Sequence, residues 1–597
     1  MKILKKFLYL LNKSERKSII LLLFMILGMA FIDMLGVASI LPFLVVLTNP
    51  DLVSTNVFLK WLFDYSKIFG VENQTQYLIF LGFIMLFILI FSIAFKIFTT
   101  YFQIRFVQMR QYSLSKRLIE GYLHQPYSWF LSINSADLGK TILHEVGQVI
   151  GQGINPMIEL ISKSAISILI ITLLIIVDPV IAIIVGFSLA FIYGSFYYFI
   201  KNYLNRIGKE SFENNKSRFR AVLEAFSASK VIKIGNLENF YVKYFSDSAL
   251  TFAKNHTHSS IISILPRFVF EAVAFGGILL IMILKIMQSN DYSEAIPIVG
   301  LYAFAGYRLM PAIHSIFSAF TSITFVKPVL DKIINDLKNI DKRTYNSEKS
   351  ILPFKKKISL KKINYNYPNS SRTALNDLTL NISAGSKIGL VGATGSGKTT
   401  TIDIILGLLE PQNGVFEVDE NVITQKNLRS WQRSIGYVPQ NIYLSDDTIS
   451  ANIAFGIDSK DINQLAVEKA AKIANIHDFI FNELPEKYQA KVGERGVRLS
   501  GGQLQRIGIA RAIYNNPSLL ILDEATNALD NQTEKNVMDA INNLNKNTTI
   551  IIIAHRLSTV KNCDNIFLLD KGRIVNHGTY NDLINKDKDF AILAKND

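Results

Sequence analysis

The 597-residue chain carries 63 Lys and Arg against 48 Asp and Glu, a formal net charge of +15, and is 49% hydrophobic but only 19% charged. Its length accommodates two or more domains with cores of their own. The single cysteine, Cys563, excludes an intramolecular disulfide and any multi-cysteine metal site.

These averages hide a division between an apolar first half and a second half of ordinary soluble composition, which predicts a membrane domain followed by a soluble one. Much of the cationic excess flanks apolar stretches, the arrangement that orients a membrane protein with its positive loops inside, so no nucleic-acid partner is expected. Lys2 to Lys17 places Ile3, Leu4, Phe7, Leu8 and Leu11 on one helical face between lysines, predicting an interfacial helix on the cytoplasmic surface. The apolar run that follows extends far beyond a signal-peptide core, so no cleavable leader is expected. Six spans of sufficient length fall near 18–48, 77–105, 155–177, 180–200, 262–287 and 295–325. With a basic N-terminus inside, the polar connections 106–154 and 201–261 lie in the cytoplasm.

After the first span, Phe58, Trp61, Leu62, Tyr65 and Phe69 recur at helical spacing and predict a short amphipathic helix on the outer face. The same spacing fits a helix packed on its neighbours, and pattern alone does not choose. Ionisable side chains inside spans are costly and mark function or pairing. Asp33 and Arg308 are read as lining a polar cavity, and Arg267 as either a substrate contact or the helical ion-pair partner of Glu271, four residues on. Pro297 and Pro311 are expected to interrupt the last span. Residues 1–334 thus form the expected membrane domain, 335–355 a linker rich in Asn, Asp, Lys and Ser, and 356–597 an α/β domain of alternating strands and helices.

In that domain the apolar run Lys387 to Val391 reads as a buried strand and leads into Gly392-Ala393-Thr394-Gly395-Ser396-Gly397-Lys398-Thr399, before a helical segment from Thr400 to Leu409. Strand, glycine-rich loop and helix in that order form a phosphate-binding loop. Its glycines let backbone N–H groups face a polyphosphate, and Lys398 brings a cation to the terminal phosphates. Thr399 offers a hydroxyl to Mg²⁺. Gln440, ending Tyr437-Val438-Pro439-Gln440, and His555, after the run Thr549 to Ala554, are polar groups at strand ends, where nucleotide sites form in α/β sheets. Leu499-Ser500-Gly501-Gly502-Gln503, before a helical run, makes a second anion site; one chain has no second phosphate to fill it, so it should serve a neighbouring subunit. Leu519 to Asp523 reads as a buried strand ending in a carboxylate suited to the metal's outer sphere, and Glu524 beside it is placed to activate the water that attacks the γ-phosphate.

With these motifs in order, the chain resembles the ATP-binding cassette (ABC) exporters over nearly its whole length. The resemblance adds Tyr367 as the adenine-stacking aromatic, Gly493-Glu494-Arg495-Gly496 before the signature and Asn527-Ala528-Leu529-Asp530 after the carboxylates. Asn527, where the family often has Ser, and Leu504, where it often has a polar residue, touch neither the phosphates nor the base. What the resemblance implies is a six-helix membrane domain joined to an α/β P-loop ATPase, working as a homodimer in the bacterial cytoplasmic membrane with the cassette inside. Its catalytic set is Glu524, His555 and Gln440; its Mg²⁺ set is Thr399, Gln440 and Asp523. ATP is held by Tyr367, Gly392, Thr394 to Thr400, and Ser500 to Gln503 of a partner. Asn134 to Lys140 and Arg220 to Asn236 look like the family's coupling loops.

For cargo, Ile32-Asp33-Met34-Leu35-Gly36 with Leu41-Pro42-Phe43, Pro266-Arg267-Phe268 with Glu271, and Tyr307-Arg308-Leu309-Met310-Pro311 are similar to bacterial flippases of lipid-linked oligosaccharides. Arginines can hold a pyrophosphate, and the outer helix offers an apolar surface to a polyprenyl tail. The alternatives are export of another amphiphile, such as a lipid A precursor, a drug or a peptide, and a membrane-anchored ATPase that transports nothing.

Overall fold

In the computed structural model, which describes residues 2–289, 292–340, 350–368, 372–525, 529–542, 548–554 and 556–595, the N-terminal stretch is two helices, not one. Lys2–Leu10 is amphipathic, and the chain turns at Leu11 and Asn12 before Lys13–Ala38 begins. The turn is fixed by Glu15, whose carboxylate accepts the Asn12 N–H at 2.8 Å and pairs with Arg110 at 2.6 Å. The first apolar passage continues as Ile40–Thr48.

The chain divides into two compact units, Met1–Gln125 with Ile133–Lys342, and Pro126–Ser132 with Arg343–Asp597. In the first, five helical passages among the described residues are long and apolar enough to cross a membrane: Lys13–Thr48, Gln74–Leu123, Ser135–Val177, Ala182–Ser227 and Gly300–Asn339. The Glu238–Ser289 helix carries the expected span 262–287, where most side chains from residue 270 onward lie outside the described residues. The polar connections are not loops: Gln74–Leu123, Pro179–Ser227 and Glu238–Ser289 continue as helices well past the predicted spans. Pro126–Ser132 falls in the second unit, whereas the predicted coupling segment Asn134 to Lys140 stays in the first as the helix Ser135–Lys140. Arg220 to Asn236 covers the end of one long helix and the short helix Ser229–Gly235, closed by Asn236 at φ +51°.

The expected interruption at Pro297 and Pro311 does not occur, since Tyr292–Asn339 runs unbroken past both. A helical proline costs about 3 kcal/mol. Burial of Leu301, Tyr302, Ala305, Leu309, Ala312 and Phe317 along the same helix offsets it. Met29, Ala30 and Val37 pack with Ile166, Ile170 and Leu174 and with Leu301, Ala305 and Leu309 at one helical junction. Phe83, Phe87, Phe187 and Phe191 face outward, as a surface solvated by acyl chains requires.

Among the described residues the second unit holds ten strands: β1 Lys357–Asn366, β2 Thr373–Ser383, β3 Lys387–Val391, β4 Asn413–Val418, β5 Asn421–Val422, β6 Ile435–Val438, β7 Leu519–Asp523, β8 Thr549–Ile553, β9 Asn565–Asp570 and β10 Arg573–Gly578. An antiparallel sheet has the order β2-β1-β4-β5, and a second sheet the order β10-β9-β3-β8-β7-β6, parallel from β9 to β6. Every residue of β7 and β8 is buried, as a parallel sheet covered on both faces demands. Their alternate residues feed opposite cores: Leu520, Leu522, Ile550 and Ile552 pack with Ile507 and Val537, while Leu519, Ile521, Ile551 and Ile553 pack with Ile402, Ile405 and Trp431. This sheet brings Gly392, Gln440, Asp523 and the end of β8 to the carboxyl edge of neighbouring parallel strands, where nucleotide sites form.

Candidate functional site

The loop after β3 is shaped at two positions that only glycine can occupy without strain. Gly392 and Gly397 have φ of +148° and +105°, and an added Cβ would stand 2.2 Å from the Leu569 carbonyl oxygen at the first and 3.0 Å from that of Ala374 at the second. Lys398 opens the helix Lys398–Ile405, and its buried ammonium donates to the carbonyls of Gly392 (2.7 Å) and Ala393 (3.1 Å). Burial holds that ammonium below the ordinary lysine value, while the charges of Glu524 and Asp523 pull it back upward. The Ser396 hydroxyl is buried without a hydrogen-bond partner. Leaving such a group unsatisfied costs about 1–3 kcal/mol. A phosphate oxygen in the loop would satisfy it, so the residues present fit a polyphosphate. Thr399 is exposed; Thr400 is buried and its Oγ1 lies 3.0 Å from the Tyr367 hydroxyl. Tyr367 also packs edge-on against Tyr365, ring centroids 5.2 Å apart.

At the end of β7, Asp523 is buried and accepts from the Tyr437 hydroxyl at 3.4 Å. Glu524 takes a left-handed backbone, φ +51°, its N–H donating to the Ile553 carbonyl at 3.1 Å. Gln440 Nε2 then donates to Glu524 Oε2 at 2.7 Å. The predicted residues Lys398, Asp523, Glu524 and Gln440 therefore share one neighbourhood. His555, with Asn527 and Ala528, lies outside the described residues. Two members were missed in the sequence. Tyr437, on β6, has its hydroxyl pushed up by burial and then by Asp523. Asp403 interrupts the apolar run around Ile402, Ile404 and Ile405; burial, and then the Asp523 charge, push its carboxyl up to about 6. A carboxylate inside that buried helical run was the available signal.

The signature segment closes on itself at the start of the helix Gly501–Ile513. Ser500 Oγ accepts the Gln503 N–H at 3.2 Å and Gln503 Oε1 accepts the Ser500 N–H at 2.8 Å. This capping box leaves Ser500 and Gly501 exposed at the positive end of the helix dipole.

Within the first unit, Asp33 is buried and its Oδ1 accepts from Ser92 Oγ at 2.6 Å and from an Arg308 NH1 at 3.4 Å. The Arg308 Nε is buried without a partner. Arg267 is not part of this group: its Nε donates to Glu271 at 3.0 Å, with about half of its side chain exposed. The structure thus joins two of the three predicted membrane charges and adds Ser92. The outer helix Val57–Ser66 is capped by Asn56, which accepts the Phe58 and Leu59 N–H groups at 3.0 and 3.3 Å. Phe58, Trp61, Tyr65 and Phe69 form an exposed ladder with successive centroids 6.4, 6.0 and 6.3 Å apart. Leu62 turns instead to the packed side, with Leu59, Phe63 and Tyr77.

The pattern of the family described as "ABC transporter" matches residues 375–527, and that described as "ABC transporter transmembrane region" matches residues 19–293. An ATP-dependent lipid A-core flippase of Saccharophagus degradans is 29% identical, covering 81% of this chain and 80% of its own. One of Bordetella avium is 32% identical over 64% of each chain. Among solved structures, a bacterial Atm1-family ABC exporter with ATP bound superposes with a TM-score of 0.79 at 21% identity, covering 97% of this chain and 99% of that one. At that identity the likeness is one of fold.

Proposed function

This chain is a half-transporter of the ABC exporter family, an ATPase whose hydrolysis drives transport, and from that premise we propose that it works as a homodimer to flip a lipid-linked oligosaccharide, carried on a polyprenyl pyrophosphate, across a bacterial cytoplasmic membrane. The observation that carries the cargo is the buried Asp33–Arg308 pair inside the spans, with the Arg308 Nε left unpaired. A guanidinium with a free donor is suited to a phosphate oxygen, and a buried cation is retained in a membrane where it binds or moves something. The exposed ladder from Phe58 to Phe69 offers the tail an apolar surface. A lipid A precursor is the second reading, favoured by the names of the relatives, and it shares the phosphate.

In the cassette, Gly392 and Thr394 to Thr400 hold the phosphates, with Tyr367 placed for the adenine. Thr399, Gln440 and Asp523 are the residues that would hold Mg²⁺. When bound, the ion neutralises charge shared by the β- and γ-phosphates. Glu524, oriented by Gln440, takes the proton of the attacking water, and His555, which follows β8 in the sequence, is assigned to the same catalytic set. Ser500, Gly501, Gly502 and Gln503 of the opposing copy close the site, their helix start, exposed at Ser500 and Gly501, offering N–H groups to a phosphate.

Vesicles containing the purified protein, ATP and fluorescent lipids test the cargo. Flipping of a polyprenyl-pyrophosphate oligosaccharide is expected. Movement of a lipid A precursor alone would replace the first reading with the second, and movement of neither would remove both.

A further inference from the structure

We infer that Lys163 is a further substrate contact, gripping the phosphate of the transported lipid together with Arg308; this rests on the reading of the cargo as phosphate-bearing. Lys163 lies half-buried within the helix Asn155–Val177. That helix packs through Ile166, Ile170 and Leu174 against Met29, Ala30 and Val37, the residues that bracket Asp33. Lys163 precedes Ile166 by three positions and so shares that face. Phe95 joins the same junction, next to Lys96, and Leu309 joins it next to Arg308. Lys96, Asp33, Glu159 and Arg308 all lie within electrostatic reach of the Lys163 ammonium.

Among the described residues, the charges that act on Lys163 here do not balance: Lys96 and Arg308 join it as cations, against the two carboxylates Asp33 and Glu159. Both carboxylates already accept from neutral donors, Ser92 to Asp33 at 2.6 Å and Asn155 to Glu159 at 3.0 Å. Among the described residues, no carboxylate stands within 4.0 Å of the Lys163 ammonium. An excess of positive charge inside a span is costly. An anionic head group would remove that imbalance. Arginine contributes a fork to two phosphate oxygens and lysine a mobile point charge, so the pair recognises phosphate without fixing the sugar beyond it.

The test uses full-length protein in vesicles, with ATP hydrolysis and flipping measured against increasing polyprenyl-pyrophosphate oligosaccharide, lipid A precursor, or a neutral glycolipid. A hydrogen bond between charged groups contributes more than one between neutral groups, and its loss weakens binding by a decade or more. Lys163→Gln should therefore raise the half-saturating concentration of the phosphate lipid at least about tenfold, and Lys163→Arg should restore most of it. Whichever phosphate lipid shows the shift is the source of the phosphate. A half-saturation for Lys163→Gln within about twofold of wild type, against a cost that predicts tenfold, would overturn the inference while leaving the cargo reading intact. Recovery by Glu159→Gln/Lys163→Gln would also overturn it, reducing Lys163 to the counter-charge of Glu159. Failure of the unaltered protein to move either phosphate lipid would remove the cargo reading and this inference together.

Discussion

Gln440 holds Glu524 by a 2.7 Å hydrogen bond from its amide, which fixes the direction of the carboxylate that follows β7. An acceptor-only carboxylate in that position can take a proton; its amide cannot. Glu524→Gln should bind ATP as the unaltered protein does yet lose about 10²–10⁴-fold in turnover. Nucleotide binding and steady-state hydrolysis, measured on one preparation, check this, and near-normal hydrolysis would remove Glu524 from the role.

Ser500 and the Lys398 loop are proposed to meet only across a dimer. A Gly502→Asp chain, whose signature repels phosphate, mixed with a Lys398→Ala chain should regain one intact composite site per heterodimer. Neither variant alone has one. ATP occlusion recovered in the mixture, at up to half the wild-type stoichiometry, is the expected result. Hydrolysis at dilutions where the protein is monomeric would contradict the arrangement.

Asp403 makes the cassette sensitive to pH. Its folded value of about 6 lies above the ordinary 3.8, so the folded state binds this proton more tightly than the unfolded chain. The associated stability is fully present below the unfolded value and is lost as pH rises through about 6. Asp403→Asn should keep that stability at neutral pH, on the order of 1–3 kcal/mol, and flatten the cassette's melting temperature between pH 4 and 6. A variant that melts below the unaltered protein at pH 7 would refute the assignment.

Local chemistry was legible in the sequence, and distance was not. The phosphate loop, the β7 carboxylates and the helix start at Ser500 are each written within a few consecutive residues, because strand, turn and helix start are short-range structures. The Asp33–Arg308 pair joins residues 275 apart, and no local pattern records it. Leu62 was grouped with four aromatics by helical spacing, yet the packed side was decided by Leu59, Phe63 and Tyr77. Pro297 and Pro311 misled because proline's local cost was weighed without the burial that outweighs it. The helical extensions past the spans were hidden because hydropathy reports where a helix meets lipid rather than where it ends.

The two membrane ion pairs should respond differently to the loss of a partner. Asp33 is buried, so Arg308→Leu removes the cation that donates to it, a change that costs up to about 3–5 kcal/mol. Replacing both, Asp33→Leu/Arg308→Leu, should recover most of the melting temperature but not flipping, because the phosphate contact is gone with the arginine. Arg267 and Glu271 are more exposed, at 53% and 32% of their side chains, and Arg267→Leu should move the melting temperature little. If Arg267 also touches the head group, flipping falls in Arg267→Leu and stays low in Arg267→Leu/Glu271→Leu. Normal flipping by that double variant would leave Arg267 as an ion-pair partner alone. Flipping preserved in Asp33→Leu/Arg308→Leu would remove the observation on which the phosphate-bearing cargo rests.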